Sequence, residues 1–300
     1  IAKPVKKIPE KGKLELVDNL NLYTGGCAAS AAIDMSIIGR KVAIIGKIGN
    51  DGFGNFMKES LEKHKLDTRG LKVTSDANTS ASLVIVTEDG ERSFIHSEGA
   101  NATLAESDID YDVIENSKIV FVAGTMLMPK FDGRDCALFL EKCKKMGKIT
   151  ALDTAWDSKG RWMDVLKYAM PYIDYFLPSI EEARELSGLE DVEEIADYFL
   201  SMGPHTVAIK LGKDGCFVKD GKTGEKHFVP TYTNVKVVDT TGAGDSFCAG
   251  FLSALAIDKP LLECARFANA VGTFCVMAAG ASSGIRSESE ILKFMEENTI

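Results

Sequence analysis

Short, nearly continuous β-branched runs alternate with helical stripes along most of this chain, and that alternation leaves few folds open. The runs occupy residues 42–46, 119–123, 149–153, 173–177 and 207–211. Such runs suit parallel strands covered on both faces. Between them, residues 53–65, 132–146 and 192–202 carry apolar side chains at helical spacing. In the second of these, Cys136, Phe139, Leu140 and Cys143 form one stripe, and Gly147 ends it. The pattern predicts an α/β fold with a mostly parallel central sheet and helices on both faces. Residues 13–23 and 82–96 break the alternation and read as strands with no helix between partners. In the second, Leu83-Val84-Ile85-Val86 runs into Glu88-Asp89-Gly90-Glu91 and then Ser93-Phe94-Ile95, a hairpin signal. The expected organisation is a large domain of residues 27–81 and 97–300, with a small accessory β-sheet of residues 12–26 and 82–96 over one edge.

The chain of 300 residues, 45% apolar and 26% charged, is long enough for a core that needs no staples. Thirty-five basic against 44 acidic residues leave a net charge of −9. That balance argues against a general nucleic-acid or anionic-membrane binder, while a local site can still hold a small anion. No apolar run reaches the roughly 18 residues of a bilayer span. Lys3, Lys6 and Lys7 are followed by no apolar stretch of signal-peptide type. Seven cysteines without a C-x-x-C pair are expected as reduced, mostly buried thiols of a cytoplasmic protein. The histidines show no metal-ligand spacing.

The most informative stretch runs from Val235 to Leu252. A strand is expected to lead into a turn of small residues, and a helix follows with Phe247, Phe251 and Leu255 on one face. Gly242, Ala243 and Gly244 have almost no side chain. Their N–H groups can therefore close on an anion at the positive end of the helix dipole. Asp245 places a carboxylate beside that anion hole. On the residues alone two roles stay open: stabilising the dipole, or taking a proton from a hydroxyl that attacks a phosphorus held there. No Lys follows the glycine pair, as a Walker A loop requires, and Phe247 stands where a dinucleotide fingerprint needs glycine.

Asp239-Thr240-Thr241-Gly242-Ala243-Gly244-Asp245, followed by Ser246-Phe247-Cys248-Ala249-Gly250, resembles the C-terminal signature of the ribokinase (PfkB) family of sugar and nucleoside kinases. Gly25-Gly26-Cys27-Ala28-Ala29-Ser30-Ala31-Ala32, with Gly39 and the residues from Val42 to Gly54, resembles the N-terminal signature, about 200 residues earlier. The likeness extends to Gly99-Ala100-Asn101 and to Lys210-Leu211-Gly212-Lys213-Asp214-Gly215. It implies a ribokinase-like fold with a small β lid, and transfer of the γ-phosphate of ATP to a sugar hydroxyl. A nucleoside kinase is the second reading, for which Phe94 and Trp156 would offer stacking surface. A non-catalytic sensor of sugar or nucleotide is the third.

Carried over residue by residue, the resemblance makes Asp245 the general base and gives the amides of Gly242, Ala243 and Gly244 the charge on the transferred phosphoryl group. Lys210, Gly212, Gly215 and Asn269 fall on the nucleotide side. Glu182 is expected to act on Mg2+ through water, with Ser179 where the family has Asn. Asp239 and Thr241 match a monovalent-cation (K+) site that Gly280 and Ser283 would complete. Gly25, Gly26, Ser30 and Asn101 are expected at the sugar. Ser30 again replaces a family Asn, a change worth roughly 0.5–1.5 kcal/mol in affinity or specificity. Arg92, Phe94 and His96 either cover the substrate or form an exposed hairpin face. Arg161, in the loop of residues 153–162, either meets an acid sugar or is a solvated loop charge. The family normally opens with a strand carrying a sugar-binding Asp. This numbering starts about where that strand would end, so a further native segment is expected before it. The lid's apolar face would suit a homodimer.

Overall fold

The computed structural model describes residues 2–5, 9–87 and 92–298. The first part of the chain forms β1 (Ala2–Val5), β2 (Asn19–Leu20), α1 (Cys27–Ile38), β3 (Ala43–Gly49), α2 (Gly52–Lys63), β4 (Asp67–Thr74), β5 (Ala81–Thr87) and β6 (Arg92–Ser97). Next come α3 (Tyr111–Glu115), β7 (Ile119–Thr125), α4 (Arg134–Lys145), β8 (Ile149–Thr154), α5 (Met163–Leu166), β9 (Tyr175–Phe176), α6 (Ile180–Ser187) and α7 (Val192–Ser201). The last part forms β10 (Thr206–Lys210), β11 (Cys216–Asp220), β12 (Lys226–Val229), α8 (Ala243–Leu255), α9 (Leu261–Val276) and α10 (Glu288–Glu297).

The central sheet has six strands in the order β12-β11-β10-β9-β8-β7. β7 to β10 run parallel, and β11 and β12 add antiparallel at one edge. Strand alternation divides the core between the two faces. Along β10, Val207 and Ile209 join Leu140, Phe176 and Phe199 on one face. Ala208 joins Leu177, Phe251 and Val271 on the other, beneath α8 and α9. Phe176 and Phe199 meet edge to face at 4.9 Å, a favourable ring geometry. A smaller core of Ile33, Ile44, Leu61 and Leu66 joins α1 and α2 to β3 and β4. All seven cysteines are free thiols, six of them buried. Among the described residues no helix is long and apolar enough to cross a membrane.

β5 and β6 pair antiparallel with Leu83 opposite Ile95, as the hairpin signal predicts. The turn Glu88-Asp89-Gly90-Glu91 lies outside the described residues, as do the side chains of Arg92 and Phe94. His96 is exposed, its Nδ1 2.9 Å from the Ser82 hydroxyl. The accessory sheet has the order β2-β1-β5-β6, so it also takes in residues 2–5.

Three strand expectations need correction. Of residues 13–23 only Asn19 and Leu20 pair; Leu14 and Leu16, 78% and 83% exposed, bury no face to hold a longer strand. Residues 42–46 supply a strand, but it pairs with β4 in a separate two-stranded sheet. Residues 235–239 are not a strand. The amides of Val238 and Asp239 reach the Val276 carbonyl at the end of α9, at 2.7 and 3.3 Å, and no ladder forms.

Candidate active site

The carboxyl ends of β8 and β10 meet at one edge of the central sheet, where open α/β folds take their ligands. Lys210 ends β10, and its Nζ donates to both carboxylate oxygens of Asp153 on β8 at 2.8 Å each. The pair is nearly dry, 11% and 3% exposed. Burial pushes the Asp153 carboxyl up, and the ammonium pulls it back down. Burial alone would lower Lys210; the facing carboxylate overrides it and keeps the amine charged. The Cys248 thiol donates to Asp153 Oδ2 across 3.4 Å.

α8 begins beside this pair. Its cap, Gly242, has φ +82°, a left-handed conformation that glycine adopts without strain. A Cβ there would also lie 2.6 Å from Cβ of Ala281. A Cβ on Gly244 would lie 3.5 Å from the Lys210 Nζ, so the ammonium flanks the start of the helix. Of the three amides assigned to the anion hole, that of Ala243 is already turned onto the Thr240 carbonyl at 3.3 Å. The amides of Gly242, Gly244 and Asp245 have no protein acceptor among the described residues. Asp245 is pushed up to about 6 by burial, against the pull of Lys210 and a hydrogen bond from the Cys27 thiol at the start of α1. Open amides, a glycine cap and a nearly dry ammonium have the chemistry of an anion site.

Glu182 sits in the first turn of α6. Its carboxylate accepts from the Ser179 amide at 3.1 Å and from the Thr154 hydroxyl at 3.0 Å. Ser179 in turn caps the Glu182 amide, so Ser where the family has Asn closes a capping box. Among the described residues no three metal-ligating side chains converge.

Two of the nucleotide-side candidates, Gly215 and Asn269, meet at residues 229 and 230. Gly215 has φ +93°, and a Cβ there would strike the Val229 carbonyl at 2.0 Å. The Gly215 amide turns back on the Gly212 carbonyl at 3.2 Å. Asn269 is 4% exposed, and its amide donates to the carbonyls of Val229 and Pro230 at 2.9 and 3.0 Å. Asn269 thus ties that segment to α9, and its Nδ2 is engaged by protein. The cation candidates also converge. Asp239 accepts the Thr241 amide and hydroxyl at 3.0 and 2.7 Å and the Gly280 amide at 3.0 Å. The Ser283 hydroxyl would lie 3.5 Å from a Cβ on Gly280.

On the acceptor side, nothing lies within 4 Å of where a Cβ on Gly25 or Gly26 would stand. Ser30 is buried one turn into α1, its amide on the Gly26 carbonyl at 2.9 Å. Asn101 lies in the short 3-10 turn after β6. The ion pair of Lys159 with Glu98 at 2.9 Å draws the loop of residues 153–162 toward that turn. Arg161 is engaged within its own loop. It pairs with Asp157 at 3.1 Å and donates to the Met126 carbonyl at 2.9 Å. Its Nε and Nη2 are thus engaged by protein, with the side chain 29% exposed.

Sequence reasoning missed Asp153, Thr154, Cys27 and Cys248. Asp153 ends an apolar run, and a charge there is the one local signal it offered. Two thiols inside glycine-rich signatures offered none.

Residues 2–288 match the family described as pfkB family carbohydrate kinase. A ribokinase of Haemophilus influenzae is 30% identical over 285 residues, covering 93% of this chain and 89% of that protein. The structure of Arabidopsis thaliana ribokinase with ribose and ATP superposes with a TM-score of 0.85 at 25% identity, over 97% of this chain and 93% of that one. An Escherichia coli structure described as ribokinase II, solved with ATP and Mg2+, has a TM-score of 0.79 at 22% identity over 99% and 97% of the two chains. The fold is ribokinase-like, the enzyme is a carbohydrate kinase, and the chain belongs to the PfkB family.

Proposed function

We propose that the protein transfers the γ-phosphate of ATP to a sugar hydroxyl, with Asp245 as the general base. The observation that carries this is the half-buried Asp245 carboxyl, raised to about 6, beside open amides at the start of α8. A carboxylate of that basicity takes a proton more readily than a solvated one and is still ionised at neutral pH. The amides of Gly242, Gly244 and Asp245, with the Lys210 ammonium, stabilise charge on the transferred group. Each well-placed donor is worth on the order of 3 kcal/mol. Glu182 would hold Mg2+ through water, and the metal would supply positive charge to neutralise the phosphates. Residues 212–215 and 229–230 would carry the nucleotide. Gly25, Gly26 and Asn101 would meet the sugar. Asp239, Thr241, Gly280 and Ser283 suit a K+ ion.

The accessory sheet would close over the sugar and exclude water, the competing acceptor. Leu14, Leu16, Leu20, Leu22, Leu83 and Ile95 are all exposed on or beside it, which favours pairing of two lids in a homodimer. Free thiols throughout suit a cytoplasmic enzyme. One observation favours a nucleoside acceptor instead: Trp156, after β8, is 55% exposed with its ring edge-on to Trp162 at 5.0 Å. ADP release measured against sugars, acid sugars and nucleosides separates the readings. Acceptor-dependent ADP with a sugar supports the proposal. Turnover of nucleosides alone replaces it, and none with any acceptor leaves the sensor.

A further inference from the structure

α1 carries the acceptor-side glycines at its start, and α8 carries the base and the open amides. The two helices pack against each other, and a carboxyl group lies in the seam. Asp34, on α1, is fully buried. Its Oδ2 accepts from the Ser246 hydroxyl at 2.6 Å, and Ser246 directly follows Asp245. The Ser282 hydroxyl faces the same carboxyl. Asp34 Oδ1 and Ser282 Oγ are both buried with no hydrogen-bond partner among the described residues. Ser282 adjoins Ala281, which forms the wall against Gly242, and the Ser246 hydroxyl also lies 3.5 Å from the Ala281 carbonyl.

A buried acid is costly, and nothing in the packing of two helices calls for one. The cost is offset where the group satisfies others. Here Oδ2 accepts from the Ser246 hydroxyl, and the Ser282 hydroxyl faces the carboxyl from the 281–282 wall. The other titratable groups turned toward this centre are Asp245 on α8 and Cys275 on α9.

We propose that Asp34 is a positioning residue for phosphoryl transfer, tying α1 to Ser246 and to the 281–282 wall so that acceptor glycines, base and amides hold one geometry. The inference rests on the kinase reading. A small displacement of such a constellation lowers turnover more than it lowers binding.

The test uses the full chain and ADP release with D-ribose, or the panel sugar that the unmodified protein turns over best, with ADP binding by calorimetry alongside. Asp34→Ala and Ser246→Ala are each expected to lower kcat by ~10-fold or more, with the KM for ATP and ADP affinity changed less than about threefold. The double variant is expected to be no worse than the poorer single one, because both remove one link. Asp34→Asn, which keeps an acceptor and a donor, is expected to recover kcat to within about threefold of the unmodified protein. Losses that add in the double variant, or singles that stay within about twofold of the unmodified protein, overturn the positioning role. An unmodified protein that releases no ADP with any acceptor overturns the kinase reading instead. Should Asp34→Ala not fold, Ser246→Ala and Asp34→Asn carry the same decision.

Discussion

Lys210 Nζ contacts both carboxylate oxygens of Asp153 at 2.8 Å, while a Cβ on the neighbouring Gly244 would lie only 3.5 Å from that nitrogen. One ammonium therefore serves a buried carboxylate and the mouth of the proposed anion hole together. Removing either partner strands a charge. Asp153→Ala and Lys210→Ala are each expected to cost about 3–5 kcal/mol of stability. The pair replaced by Leu and Met should recover much of that stability and none of the activity. Urea unfolding and ADP release measure the two effects separately.

Asp245→Asn is expected to lower kcat by roughly 10²- to 10⁴-fold, the usual worth of a general base. Nucleotide affinity should hold, because the amides stay in place. Calorimetry with ADP alongside the rate assay checks both halves, and near-normal turnover rejects Asp245 as the base.

The base works only when ionised. With Asp245 raised to about 6, kcat/KM should fall as pH drops through about 6 and level off above 7. Asp245→Glu should move that limb. A profile flat from pH 5 to 8 would assign the proton elsewhere.

Gly242→Ala meets two obstacles: a φ of +82° and an Ala281 Cβ at 2.6 Å. It should cost about 1–3 kcal/mol as well as activity. Gly244→Ala meets the Lys210 side chain at 3.5–3.9 Å, an ordinary contact, with no positive φ. It should fold with a normal Tm and lose activity, because the methyl group would crowd the open amide.

Burial pushes Asp34 from an ordinary 3.8 up to about 7 in the folded chain. The native state then holds a proton that the unfolded chain releases near pH 4. This contribution to stability is complete below pH 4 and is lost as pH rises through about 7. Asp34→Asn should flatten the dependence across that window, read as urea midpoints at pH 5 and pH 8. A slope equal to the unmodified protein's would show that Asp34 is ionised throughout.

The α/β class and the helices were legible because apolar period and capping residues are local. Residues 192–202 announce α7 by Ile195, Phe199 and Met202, and Asp191 caps it by accepting from the Glu193 and Glu194 amides. The small-residue turn before Asp245 was legible for the same reason. What stayed hidden depends on tertiary pairing. Residues 13–23 have apolar content but no face to bury, and 235–239 have β-branched residues but no ladder partner. Arg161 and Asn269 have the chemistry of ligand contacts. Their protein partners, Asp157 and the 229–230 carbonyls, show only in the folded chain. Asp34 could not be singled out, since a carboxylate in a helical stripe reads as a solvated face until α8 is laid over it.

Cys27, Asp153, Lys210 and Asp245 reach one spot from distant parts of the chain, and Ala281 walls it last. During synthesis no partial chain short of that wall has the assembled pocket, whatever strands have already paired. Phosphate-handling capacity should therefore switch on late and all at once as the polypeptide lengthens, so that shortened products consume no nucleotide.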